Sequence, residues 1–281
     1  MADFPRTKIE DLSVSRLVMG TNWWLGYSHI SRAKDELIKQ MMTADRIADV
    51  IEVFLKAGVD AMVGPRPLPK LLEAIKTAED RTGRGVIKIG TPTLNVKGTA
   101  EAHAENCRIL DDFAAIGIHV CMPHQQTTDA LADRTTRTIR SMDTFCAMIR
   151  DRGMVPGLST HMPEVPVYAD ETGLDIATYI QIYNAIGFLM QIEVDWVHRT
   201  IWNSKKPVLT IKPMAAGRLM PLAGLAFSWA TIRDCDMVAV GTQTPDEARE
   251  LIEISLSLLE RRSSAVELQR TRSKASVETA K

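Results

Sequence analysis

Ile118-His119-Val120-Cys121-Met122-Pro123-His124 is the stretch on which the fold turns. It is a short apolar run stopped by a proline, with the imidazole of His124 set beyond the stop. Such a run reads as a strand buried on both faces, which is the habit of parallel sheets. Seven other stretches share the form, and each is followed by enough chain for a helix.

In chain order, Leu17-Val18-Met19-Gly20-Thr21-Asn22-Trp23 reads as the first strand. Apolar residues at helical spacing follow it: Leu37, Met41, Ile47, Val50, Ile51, Phe54 and Leu55, with Gly58 as a left-handed stop. Strands are expected at 59–64, 86–90, 118–122, 154–159, 179–183, 208–212 and 237–241. Helices are expected at 68–78, 100–115, 129–152, 193–203, 222–233 and 245–259. The segment 163–175 holds two prolines and four acids and reads as an irregular loop with a poor helix. Thr244 and Pro245 read as the cap and first turn of the last helix. Eight unbroken strand–helix alternations predict a single (β/α)8 barrel over 1–260, with a polar tail at 261–281 that is frayed or extends a helix. An open doubly wound sheet would want a glycine-rich phosphate turn after its first strand, which Gly20-Thr21-Asn22-Trp23 does not supply.

Composition narrows the function classes. The chain has 281 residues, 45% hydrophobic and 25% charged, with a formal net charge of −1. That balance offers no long-range attraction for nucleic acid or an anionic membrane. No apolar run approaches the roughly 18 residues of a membrane span, and the N-terminus lacks a secretion pattern. Cys107, Cys121, Cys146 and Cys235 have no metal-ligand spacing, so reduced thiols in a cytoplasmic protein are expected. The expected partner is a small-molecule substrate; a homo-oligomer stays open.

Four segments resemble the aldo-keto reductases: 14–21 (VSRLVMGT) resembles that family's first strand, 181–184 (QIYN) its sixth, 212–219 (KPMAAGRL) its seventh, and 240–247 (VGTQTPDE) its strand-eight turn. The resemblance implies the barrel fold, an Asp-Tyr-Lys-His tetrad and a nicotinamide cofactor. His124 stands at the histidine position. Met62-Val63-Gly64 leaves the aspartate position without a carboxylate, the following loop has no tyrosine, and Lys88 comes two or three residues early. Ser159 and Gln181 match residues that hold the nicotinamide carboxamide, and Gly241 lies in the strand-eight turn. Gln243 stands where members often carry the arginine for the 2′-phosphate of NADP. Without a proton donor, hydride transfer would leave an unstabilised alkoxide. NAD(P) is therefore implied by the resemblance and opposed by the missing tetrad.

Active sites of such barrels lie at the carboxyl ends of the strands. The candidates there are Asn22, Trp23, Trp24, Tyr27 and His29 from the first loop and Arg66 from the second. Lys88, His124 and His161 follow from strands three, four and five, then Tyr183, Asn184 and Lys212. Each has a plain structural alternative: a strand-end histidine hydrogen-bonded in place, a tryptophan pair in the core, a Lys-Pro turn. His124 and His161 are expected as acid and base, or as ligands of a divalent metal with His29, Glu164 or Glu193 as a third. Lys88 and Lys212 would have depressed pKa values if buried, which suits a base, a Schiff-base amine or an enolate-stabilising group. Asn22, Trp23, Trp24, Arg66, Tyr183 and Asn184 are expected to bind substrate.

Three functions follow. One is an enzyme that kept the barrel and lost redox chemistry, acting as a lyase, isomerase or epimerase on a polyhydroxylated or carbonyl-bearing substrate. Another is an NAD(P)H-dependent reductase with Tyr27 or His124 as a relocated proton donor. The third is a non-catalytic ligand-binding descendant.

Overall fold

The computed structural model describes residues 4–265. The chain opens on a hairpin, β1 (Arg6–Ile9) and β2 (Leu12–Ser15), which the sequence reading did not foresee. Its Ile9 and Val14 pack with Val18, Ala61, Val63, Ile89 and Val120 in a cluster made of the barrel's inward residues, so the hairpin closes one end.

Then come β3 (Leu17–Gly20), α1 (Asn22–Leu25), α2 (Arg32–Met41) and α3 (Ala44–Lys56). β4 (Ala61–Gly64) and α4 (Pro69–Thr82) follow, then β5 (Ile87–Gly90) and α5 (Ala100–Ala115). β6 (Val120–Cys121) leads into α6 (Gln125–Leu131), a small hairpin of β7 (Ala132–Asp133) and β8 (Thr138–Ile139), and α7 (Met142–Arg150). β9 (Val155–Pro156) and β10 (Leu158–Thr160) precede α8 (Glu164–Thr172). β11 (Tyr179–Ile182), α9 (Val194–Asn203), β12 (Val208–Ile211), α10 (Pro221–Thr231), β13 (Met237–Val240) and α11 (Pro245–Leu259) complete the order.

All main-sheet pairs are parallel, and the order runs β10-β11-β12-β13-β3-β4-β5-β6-β9. Because β9 and β10 are one stave interrupted at Gly157, the sheet is a barrel of eight staves, as the alternation predicted. The interruption has a local cause. A Cβ on Gly157 would stand 2.8 Å from the Thr178 carbonyl oxygen and 2.9 Å from Met122 Cε, so only glycine fits.

Three local expectations need correction. The single helix expected at 129–152 is two helices split by β7 and β8, because Arg137 and Ser141 take left-handed backbone between them. The first long helix is also two, with Thr43 capping α3 through a bond from the Arg46 N–H. The irregular loop with a poor helix expected at 163–175 is mostly a regular helix, α8, whose Val165, Pro166, Tyr168 and Ala169 are buried. There packing overrides weak intrinsic propensity.

Among the described residues no helix is long and apolar enough to cross a membrane. The tail expected from 261 lies mostly outside the described residues. Its first part turns back on α11, where Arg262 pairs with Glu253 and Glu260.

Candidate active site

A cavity of about 780 Å³ opens at the carboxyl ends of the strands. The loops after β3, β6, β10 and β12 bring His29, His124, His161 and Lys212 to its wall, together with Asn22, Trp23, Tyr27 and Ser159.

His124 is the N-cap of α6, so helix formation fixes its position. Its Nδ1 accepts the Gln126 backbone N–H at 3.3 Å, which leaves the hydrogen of the neutral ring on Nε2. Burial, then the nearby Lys212 charge, pushes its pKa below the ordinary histidine value. His161 is pushed further, to about 4, by burial and then by Lys212, His124 and His29. Its main chain is set by Asp129 of α6, which accepts the His161 N–H at 3.2 Å and the Thr160 hydroxyl at 2.5 Å. His29 is likewise lowered by burial and Lys212, with Asp35 opposing. Asp35 is already engaged with the Ser28 hydroxyl and N–H.

Lys212 follows β12 with φ +63°, left-handed backbone that costs a side-chain-bearing residue free energy. Burial alone lowers its amine to about 8, so the ammonium still predominates at neutral pH. Four nitrogen-bearing side chains from four loops thus meet around one space. The acids in the cavity wall are Glu247 and Glu250 of the last helix.

Several expected site residues lie elsewhere. Lys88 does not reach the mouth. It sits in register with Met62, on the face that packs against the helices, and a Cβ on Gly117 would stand 3.3 Å from its Nζ. Strand alternation, one residue out of phase with the site, is the reason. The same alternation turns Tyr183 outward, where its hydroxyl meets His198 Nδ1 at 3.2 Å and its ring lies 4.9 Å from Phe227. Asn184 is buried and pins the next loop by bonds to the Phe188 N–H and carbonyl. Arg66 leans away to Asp112.

Of the tryptophans, Trp23 lines the cavity, while Trp24 is buried beneath it and donates its indole N–H to the Thr242 carbonyl at 2.7 Å. Glu164 is paired with Arg134, and neither it nor Glu193 belongs to the cavity wall. Among the described residues no group of three or more His, Cys, Asp or Glu is placed to hold a metal ion. Asp129 escaped the sequence reading, since a lone acid in a helix carries no signal of what it touches.

For a nicotinamide dinucleotide the fit is divided. Ser159 and Gly241 line the cavity, and the wall continues past Thr242 and Gln243 to the start of α11. Gln181 is buried outside that wall, its Oε1 without a partner. The start of α11 is already filled, because Glu247 accepts the N–H groups of Gln243 and Thr244 in a capping box. With Glu247 and Glu250 in the wall and no arginine there among the described residues, this end does not fit a phosphate-bearing group. The Gly241-Thr242 turn that leads into α11 is closed to an anion for the same reason.

No family model and no curated protein matches the chain. Solved structures do. An aldo-keto reductase-like protein of Pseudomonas aeruginosa aligns over 92% of this chain and 97% of its own, with TM-score 0.66 and 15% identity. An aldo-keto reductase of Bacillus halodurans aligns over 95% and 99%, with TM-score 0.55 and 13% identity. A 3-deoxy-D-arabino-heptulosonate 7-phosphate synthase of Thermotoga maritima, in truncated form, aligns over 92% and 93%, with TM-score 0.57 and 10% identity. At such identities the likeness speaks of the fold, which is the aldo-keto reductase type of (β/α)8 barrel.

Proposed function

We propose that this barrel is a non-redox enzyme that moves a proton next to the carbonyl of a small polyhydroxylated, sugar-like substrate, as an isomerase, epimerase or lyase does. One observation carries the reading: Lys212, buried without a carboxylate partner among the described residues, shares a cavity with neutral His124 and His161.

Proton abstraction beside a carbonyl needs a base and a group that accepts the charge developing on oxygen. His161, unprotonated above about 4, is the base. The Lys212 ammonium and the Nε2–H of His124 face the enolate oxygen; Lys212 thereby takes the role expected of Lys88. The carbon-bound proton goes to His161 and the electron pair moves to the carbonyl oxygen; the proton then returns to the same carbon, or to the former carbonyl carbon while the hydroxyl on the deprotonated carbon passes its proton to the enolate oxygen. Trp23 supplies an apolar plane for the substrate.

The test is exchange of carbon-bound hydrogen for deuterium, followed by NMR in heavy water. The probes are dihydroxyacetone, hydroxypyruvate and pyruvate. Exchange should occur with at least one probe and fall by about two orders of magnitude or more in His161→Gln. Exchange at the uncatalysed rate with every probe would end this reading.

A second reading, a nicotinamide-dependent reductase with Tyr27 as proton donor, is favoured by Ser159 and Gly241 lining the same cavity. Titration with NADH and NADPH, read by fluorescence, separates the two.

A further inference from the structure

The charges around the cavity are distributed unevenly. Lys212 stands at its wall with His29, His124 and His161, and Arg218 lies near enough for its charge to depress His29. Facing groups of opposite sign are few. Asp35 is held by Ser28, Asp129 is turned to Thr160 and the His161 main chain, and Glu247 serves the α11 cap. Glu250 completes the acids of the wall, and Tyr27 lies at the rim. A buried ammonium normally has a counter-ion, because desolvating an unpaired charge is costly. Among the described residues none is supplied to Lys212, which is held in left-handed backbone.

We propose that the missing counter-ion is the substrate itself: a small carbonyl compound bearing a carboxylate or phosphate, held by Lys212 and His29. The inference rests on the proton-transfer reading and names its substrate class. It also supplies what that reading lacks. His161 is a weak base because it is buried and because its neighbours are cationic or neutral, and an anion among them offsets the part of the shift that comes from charge. Binding therefore takes up protons at neutral pH, because the histidines that are neutral in the free cavity gain affinity for a proton when a negative charge arrives.

Calorimetry with oxalate and with inorganic phosphate, at low ionic strength and neutral pH in two buffers of different ionisation heat, tests this without any reaction. At least one anion should bind with net proton uptake, and the stronger one identifies carboxylate or phosphate as the recognised group. Lys212→Met should weaken binding by about tenfold or more, and His29→Gln should weaken it less. No heat from either anion up to about 10 mM, or binding unchanged in Lys212→Met, overturns the proposal. Anion binding without deuterium exchange would spare this inference and sink the proton-transfer reading. Exchange with dihydroxyacetone but not with hydroxypyruvate or pyruvate would do the reverse.

Discussion

Asp129 Oδ2 accepts the backbone N–H of His161 at 3.2 Å, so a carboxylate of α6 sets the main chain of the imidazole on the next stave. Oδ1 takes the Thr160 hydroxyl. Burial raises the carboxyl above the usual range against these two bonds, so the group is kept for its geometry at an electrostatic cost.

Asp129→Ala should therefore lower stability by about 1–3 kcal/mol, since it leaves the His161 N–H unpaired and the Thr160 hydroxyl with only the longer, 3.3 Å bond to the Met162 carbonyl as donor. Asp129→Asn retains one acceptor and removes the buried charge, so its thermal midpoint should lie between that of Asp129→Ala and the parent or above the parent. Equal losses in the two variants would show that the hydrogen bonds do not matter.

Thr21 and Gly64 make a second close pairing, between the ends of β3 and β4. A Cβ on Gly64 would land on Thr21 Oγ1. Gly64→Ala is expected to cost about 1–3 kcal/mol as an overpacked site. Adding Thr21→Ala should recover part of that loss, because the nearest remaining atom, Thr21 Cβ, is 3.0 Å away. Thermal melts of the two single variants and the double variant read the coupling.

Lys212 has a pH signature. Its folded pKa of about 8 lies below the ordinary lysine value, so between the two the unfolded chain holds the proton and the folded protein does not. This contribution to stability thus rises with pH above about 8, and at neutral pH the buried ammonium weakens the fold. Lys212→Met should be more stable than the parent at neutral pH, by up to about 3 kcal/mol. The advantage should shrink as pH climbs from 8 toward the ordinary lysine value. Denaturant unfolding at several pH values measures it.

His161 carries the matching acid signature. With a folded pKa of about 4, it is neutral while the unfolded chain is already protonated, so stability falls as pH drops from the ordinary histidine value toward 4. His161→Gln should flatten that limb of the curve. An NMR titration of the His161 ring should show its midpoint near 4 in the free protein. A midpoint at the ordinary histidine value would mean that the ring stands in open solvent, away from Lys212.

Much of the fold was legible because it depends on local signals. Apolar runs stopped by Gly or Pro marked the staves, and the helical spans 100–115 and 245–259 were read to the residue. Thr244 as cap and Pro245 in the first turn of α11 were legible too, while the Glu247 half of the capping box appeared only in the structure. The β1–β2 hairpin was missed because short alternating strands such as 6–9 carry little periodicity. The split near 132–141 was missed because its left-handed residues are Arg137 and Ser141 rather than glycines.

The sequence by itself determined the barrel and the strand ends from which His124, His161 and Lys212 rise, since burial pattern and breakers act along the chain. Only the tertiary structure decided which neighbours of those residues share the cavity. Side chains one position apart on a strand point to opposite faces, so the frame of β5 sent Lys88 outward to Gly117. The pairing of β10 and α6 put Asp129 beneath His161. The same closure left Lys212 among imidazoles with no carboxylate among the described residues to answer it, a pattern of charge set by four loops far apart in sequence and adjacent only when the barrel closes.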